Sequence, residues 1–444
     1  MSARTSTLLS TGSDNMSGLP RVALFQAFWR LHSSTLFAAL TLSRAGYYVD
    51  ILLFMVDEGV PTSLLEGSRG VSVHYLDLPC GKSVEMSKAA VDEAIYSSAR
   101  GSVKSFRQGV LRRSHRYVKR FFTLLRFLVG SDKGLIPDQV LKRSVAILKG
   151  SQYRAFIGID KGGLAWAGAM ASRFARPLIY SNLELYTRDH WFYSGGYTQK
   201  RLKLAEEQYH RRCWATIVQD EARGRVLLAD NRVRGEMRML YVPISRLGEP
   251  EAEKSRWLQD RLRLPDGQIV ILSYGMIATR RFSLELAKVA QSFPNSWTLV
   301  IHGYGDNSII EKIRELDSRN KVFLSLGLVD LSEEPMVVGS ATISLVFYGD
   351  KYINDKLTGL SSEKLALSLQ CGVPVVAFDY PSYGHIREEK CGVLIRDLSE
   401  ISVAISKILA DYSGYRSRAL LTFKKHYQFE TNFKKVLNAL DELP

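Results

Sequence analysis

The most constraining stretch of this chain is residues 361–378, SSEKLALSLQCGVPVVAF. Ser361, Ser362 and the first-turn acid Glu363 open a segment in which Leu365 and Leu369, with Ala366 beside them, recur at helical spacing. Gly372 reads as the C-terminal cap, Pro374 forbids continuation, and residues 375–378 read as a short apolar strand. A helix, a tight turn and a buried parallel strand in so short a span belong to an α/β sheet protein. The start of that helix turns free N–H groups and the positive end of its dipole outward, so it is a ready anion site.

The same rhythm runs through the rest of the chain. Residues 22–28 (VALFQAF) read as a buried strand, 34–45 as a helix ended by Gly46, and 48–54 as a second strand. This is the opening of a doubly wound unit. Further apolar strands are expected at 71–76, 155–160, 178–180 and 237–242. A charged stretch with two prolines, 244–267, reads as an interdomain connection, after which strand and helix alternate again from 269. The expected fold class is therefore α/β, with two Rossmann-like doubly wound parallel-sheet domains facing a cleft. Residues 21–243 form the first domain and 268–412 the second, and 413–444 cover one side or cross back. Residues 1–20 are polar and read as a disordered leader rather than a secretion signal.

With 444 residues the chain exceeds what a single core usually serves. Sixty Lys and Arg against 45 Asp and Glu give +15, which favours anionic partners. Cys80, Cys213, Cys371 and Cys391 have no metal-ligand spacing and are expected to be reduced thiols in a reducing compartment. No window is apolar for long enough to span a bilayer. The expected location is cytoplasmic, with peripheral contact at the inner face of the membrane as an option. That option comes from residues 97–130, a basic stretch without acids in which Val103, Phe106, Val110, Val118 and Phe121 recur at helical spacing. It suits an anionic membrane surface. A helix packed on its own domain, with a solvated basic face, is the alternative; nucleic acid is not expected, since no binding motif accompanies the charge.

Candidate site residues gather at strand ends, where ligands bind in such folds. In the first domain these are His32 after the first strand, Asp160 and Lys161 after 155–159, and Glu184 and His190 beyond 178–180. His32 is a ligand contact or a structural histidine. The carboxylates orient a polar acceptor or act as a base, or else serve as caps and ion pairs. In the second domain three loops aim at the cleft: 274–281 with Gly275, Arg280 and Arg281; the HGYGD turn with Gly303, Tyr304 and Gly305; and the helix start with Ser361, Ser362, Glu363 and Lys364. Arginines grip phosphate oxygens bidentately, and glycines let the backbone approach a ligand. Together they describe a diphosphate pocket. It is neither a nicotinamide fingerprint nor a P-loop, since neither glycine pattern is present.

From Arg21 onward the chain resembles the two-domain GT-B glycosyltransferases, and within them the retaining glycosyltransferase family 4 type. The resemblance rests on SYG with Arg281 six positions after Gly275, on LVIHGYGD, on KVFLSLGLV and on SSEKLALSLQCGVPVVAF. It implies a nucleotide-sugar donor held by the second domain and a glycan or lipid-linked acceptor held by the first. Transfer is then expected with retention and without a metal or cofactor. Arg280 and Arg281 would balance the charge building on the leaving diphosphate, and the N–H groups of residues 361–363 would hold it. One departure is plain: many members of that family carry two glutamates eight positions apart, and here those positions are Gly359 and Leu367. The expected activity is glycosyl transfer in polysaccharide or glycoconjugate assembly. The alternatives are a non-catalytic GT-B subunit and another nucleotide-sugar enzyme such as an epimerase.

Overall fold

The computed structural model describes residues 18–27, 31–54, 65, 68, 70–76, 135–189, 197–251 and 253–443. The apolar runs become two parallel sheets. The first holds β1 (Arg21–Gln26), β2 (Tyr48–Leu53), β3 (Val71–Tyr75), β4 (Tyr153–Ile159), β5 (Leu178–Ser181), β6 (Ala215–Val218) and β7 (Arg238–Tyr241). Its order is β3-β2-β1-β4-β5-β6-β7. The second holds β8 (Ile269–Ile277), β9 (Trp297–Gly305), β10 (Val322–Leu326), β11 (Ile343–Val346), β12 (Val375–Phe378) and β13 (Gly392–Ile395), in the order β10-β9-β8-β11-β12-β13.

β1 explains why its sequence is continuously apolar rather than alternating. Val22 and Leu24 face the core formed with the helix Ser33–Arg44, while Ala23 and Phe25 face the core formed with the helix Asp160–Phe174. A parallel strand covered by helices on both faces has no solvent side. In both sheets the chain reverses its winding direction between neighbouring strands, at β1/β4 and at β8/β11. A crevice opens outside the carboxyl ends of the strands at such points.

Two features differ from the sequence reading. β8 and β9 continue to Ile277 and Gly305, so residues 274–277 and the HGYGD segment are paired strand rather than glycine loops. The reason is steric. A Cβ on Gly303 would lie 1.9 Å from the carbonyl oxygen of Gly275, so the pairing survives only because that position has no side chain. Within 244–267 the helix Trp257–Leu262 forms, and Leu258 and Leu264 are buried in the core of the second domain.

The C-terminal region divides between the domains. The helix Tyr412–Thr422 and the turn Phe423–Tyr427 place Ala419, Phe423 and Tyr427 in the second domain's core. After Gln428 the helix Phe429–Asp441 sets Phe429, Phe433, Val436 and Leu440 into the first domain's core. Arg154 fastens it by donating to the carbonyl oxygens of Leu440 (2.9 Å) and Leu443 (2.8 Å). Among the described residues no helix is long and apolar enough to cross a membrane. The basic segment 97–130 lies outside them.

Candidate active site

A cavity of about 290 Å³ lies where the two switch points face one another. The first domain supplies His32 from the β1 loop, and Leu183, Glu184 and Tyr186 from beyond β5. The second supplies Gly275, Arg280 and Arg281 from β8 and the turn after it, Tyr348 and Asp355 from beyond β11, and Ser361, Glu363, Lys364 and Leu367 from the helix before β12.

The helix Glu363–Gln370 forms as its sequence dictates. Ser362 is its N-cap, and its hydroxyl accepts from the N–H of Leu365 at 3.2 Å. That hydroxyl also bonds the phenol of Tyr348 at 2.6 Å, so Ser362 is buried and orders the site from behind. Ser361 lines the cavity itself. Tyr348 is the hub of a cationic corner. The Arg281 guanidinium lies 4.0 Å from the ring centroid, and the Lys364 ammonium lies 4.4 Å from it. Arg281 reaches Asp355 Oδ1 at 3.4 Å, and Lys364 donates to the carbonyl of Phe347 at 3.3 Å. Burial pushes the Lys364 ammonium well below its ordinary pKa, Arg281 and Arg280 push the same way, and only Asp355 opposes them. An anion entering this corner would offset the repulsion from the two arginines and favour the charged form of Lys364.

A second corner is carboxylate-rich. Arg246 pairs with Glu334 and reaches Glu363 Oε1 at 3.3 Å. Burial, and then the neighbouring Glu363, raise the Glu334 carboxyl, while Arg246 and Tyr274 oppose the shift. Tyr274 stacks on His302 with ring centroids 5.5 Å apart.

On the first-domain side Asp160 sits at a strained strand-to-helix corner, with φ +52°. Its Oδ1 accepts from the N–H of Leu183 (2.8 Å) and of Glu184 (3.0 Å), which ties the end of β4 to the loop beyond β5. Burial lifts its carboxyl to about 6, while His32 and these N–H groups hold it down. Burial pushes Lys161 down to about 7 against the pull of Glu206 and Asp160.

Of the residues singled out in the sequence, His32, Glu184, Gly275, Arg280, Arg281, Ser361, Glu363 and Lys364 line this cavity. Asp160, Lys161 and Ser362 are not in the lining; the contacts of Asp160 and Ser362 place them directly behind it. Gly303, Tyr304 and Gly305 lie at the end of β9 and do not line it. His190 lies outside the described residues. Tyr348, Asp355, Glu334 and Arg246 went unread, because nothing local marks them: each acquires its role from partners on other elements.

Gly359 has no room for a side chain. A Cβ there would lie 1.8 Å from the carbonyl oxygen of Ser382. Leu367 does line the cavity, as a buried apolar wall. Among the described residues no group of three or more His, Cys, Asp or Glu side chains is placed to hold a metal ion.

No protein-family profile and no curated protein sequence matches the chain. Solved structures do match. HepE from Anabaena, solved with UDP and glucose, superposes with a TM-score of 0.63 at 12% identity, covering 96% of this chain and 100% of its own. Sucrose-phosphate synthase from Thermosynechococcus elongatus gives 0.63 at 15% identity, over 96% of this chain and 99% of its own. WaaG, a glycosyltransferase involved in lipopolysaccharide biosynthesis, gives 0.56 at 13% identity, over 95% and 99%. These are GT-B structures.

The chain has the GT-B fold.

Within that fold the described cavity occupies the cleft between the two domains, and both domains contribute side chains to it. The sequence expectation of two facing Rossmann-like sheets therefore holds.

Proposed function

We propose that the protein is a glycosyltransferase. It takes a sugar from a nucleotide-sugar donor and transfers it to a hydroxyl of a glycan or lipid-linked acceptor. The observation that carries this reading is the cationic corner, where Arg280, Arg281 and Lys364 meet at a helix start inside an interdomain cavity. A diphosphate is the ligand that such a corner fits by charge and size.

In the reaction the bond from the anomeric carbon to the diphosphate oxygen breaks with its electron pair staying on the diphosphate, the acceptor oxygen bonds that carbon, and the acceptor's proton passes to the departing diphosphate. The negative charge then grows where Arg281, Arg280, Lys364 and the helix dipole already point, so the support is larger in the transition state than in the ground state. The acceptor enters from the first domain, between His32 and Glu184. Asp160 sits behind them and fixes the backbone of Leu183 and Glu184. Glu334 and Glu363, with Arg246 beside them, offer acceptor oxygens to hydroxyl groups elsewhere on the donor. HepE, whose complex contains UDP and glucose, supports a uridine nucleotide as the first donor to test. Retention and independence from metal ions are part of the reading, following the resemblance described above. So is peripheral attachment to an anionic membrane through 97–130.

The test is a panel of UDP-, GDP- and ADP-sugars. Thermal stabilisation of the folded protein by one nucleotide family is expected, together with acceptor-dependent release of that nucleotide. A folded protein that neither binds nor turns over any of them refutes the proposal. A second reading, a non-catalytic GT-B subunit, draws on the absent carboxylates at Gly359 and Leu367. Joint replacement of Arg280 and Arg281 by alanine separates the two, since pathway output collapses for an enzyme and persists for a scaffold.

A further inference from the structure

Arg223 is a wholly buried arginine on the helix Glu221–Asp230 of the first domain, and no carboxylate among the described residues forms an ion pair with it. Its four side-chain hydrogen bonds all go to neutral oxygens. Nη1 donates to the carbonyl of Leu357 (3.1 Å) and the hydroxyl of Ser361 (2.9 Å). Nη2 donates to the carbonyl of Leu183 (3.0 Å) and to Asn354 Oδ1 (3.0 Å). Nε finds no hydrogen-bond acceptor. Leu357, Ser361 and Asn354 belong to the second domain, so one guanidinium fork spans the cleft.

Asn354 extends the span. Its Oδ1 also accepts from the N–H of Leu185 at 2.9 Å, and its Nδ2 donates to Glu184 Oε2 at 2.9 Å. Arg223 thus fixes Asn354, and Asn354 fixes the carboxylate of Glu184, which lines the cavity. On the other side Arg223 fixes Ser361, at the helix start in the cationic corner. A single buried side chain therefore sets the distance between the acceptor wall and the diphosphate corner. A buried guanidinium with no direct ion pair is costly even with Glu184, Asp220 and Asp160 nearby, so it stays buried only while the domains are held together.

We propose that Arg223 is a positioning residue for glycosyl transfer: it holds Glu184 and Ser361 in register across the closed cleft, and transfer depends on it far more than nucleotide binding does. This inference rests on the glycosyltransferase reading, and it separates binding from transfer in a way that simple destabilisation does not. In Arg223→Ala the affinity for UDP, or for whichever nucleoside diphosphate stabilises the wild type, stays within roughly three-fold. Acceptor-dependent transfer falls roughly 10²-fold, as expected for misplaced reacting groups. Donor hydrolysis then rises about ten-fold relative to transfer, because the donor site still fills but the acceptor wall is out of place. Arg223→Lys does not rescue, because an ammonium cannot reproduce a planar fork bonded to four oxygens. Asn354→Ala, in the other domain, gives the same pattern more weakly and serves as the readout where Arg223→Ala fails to fold.

The assays are calorimetric titration with the diphosphate, transfer and hydrolysis rates side by side, and small-angle scattering with and without nucleotide. Loss of binding, hydrolysis and transfer in equal proportion assigns Arg223 a merely structural role and overturns the proposal, as does unchanged transfer in both variants. If no sugar nucleotide is bound by the wild type, the glycosyltransferase reading fails separately. Scattering then decides alone: an expanded particle in Arg223→Ala and Asn354→Ala supports the clamp, and an unchanged radius of gyration refutes it.

Discussion

Substitution of Gly359 gives a sharp opposition between what a sequence comparison suggests and what the packing permits. The family resemblance drawn from the sequence implies a glutamate at this position, so Gly359→Glu looks like a restoration. The structure predicts the opposite. The first atom of any side chain there would lie 1.8 Å from the Ser382 carbonyl oxygen and 2.6 Å from its carbonyl carbon. Ordinary contact for such a pair is above about 3 Å, so the backbone at 382 or 359 has to move by more than an ångström. Neither side yields freely. Ser382 Oγ donates to the carbonyl of Lys356 at 2.7 Å, and the Gly359 carbonyl accepts from the buried phenol of Tyr427. Overpacking of this kind costs about 1–3 kcal/mol, or more where backbone must shift. Gly359→Ala alone is therefore expected to lower the melting temperature by roughly 4–10 °C for a domain of this size. Gly359→Glu is expected to be worse and to gain no activity. Scanning calorimetry of both variants measures this. Gly384→Ala is the control, because its nearest neighbour is Glu388 Oε1 at 3.8 Å and its backbone is already helical. That control is expected to be neutral or stabilising by about 0.5 kcal/mol. An unshifted melting temperature in Gly359→Ala, or increased turnover in Gly359→Glu, would show the steric argument to be wrong.

Other expectations follow from the same structure. Under the proposed transfer, Arg281→Ala would remove charge support for the leaving diphosphate and is expected to lower turnover roughly 10²–10³-fold, measured as nucleotide release at saturating donor. The same change leaves the Asp355 carboxylate without its guanidinium, so Arg281→Lys should fold better than the alanine variant while remaining slow. Asp160 titrates at about 6 in the folded protein against 3.8 for the free group, so its raised value contributes stability below pH 4 that is lost as the pH rises through 6. Asp160→Asn should therefore gain stability relative to wild type between pH 4 and 7 in denaturant titrations, and a constant difference across that range contradicts the assignment. Phe433→Ala is expected to cost about 3–5 kcal/mol and to unfold the first domain, although Phe433 lies near the end of the chain. Hydrogen exchange localises that loss: faster exchange on β1 and β4 is expected, and a loss confined to the second domain would contradict the crossing-over.

The alternation of apolar strand and helix was legible because it is local. Parallel strands such as β1 and β12 must be apolar on both faces, and a helix start must carry a cap such as Ser362; each condition is written within a few residues. Arg280, Arg281, Ser361, Glu363 and Lys364 could be named from the sequence for the same reason, since strand ends and helix starts fix which edge they occupy. HGYGD shows the limit of that logic. Its glycines read as a ligand-facing turn, whereas the constraint on Gly303 is the carbonyl of Gly275, 28 residues earlier, on a strand that only folding brings alongside. The same holds for Tyr348 as the hub of two cations, for Glu334 against Glu363 and Arg246, and for Arg223 spanning to Asn354 and Ser361. None of these has a signature, because each is defined by a contact between distant segments.

The sequence by itself therefore determined the two-sheet α/β architecture and the presence of a capped helix start at residues 361–364. Tertiary structure alone decided how that helix start is used. It placed an arginine and a lysine against one tyrosine ring, closed the Gly359 position with a carbonyl, and drew a buried arginine from the opposite domain onto Ser361. Periodicity specifies which residues share a face, but charge repulsion, steric exclusion and cross-domain hydrogen bonds exist only once remote faces meet.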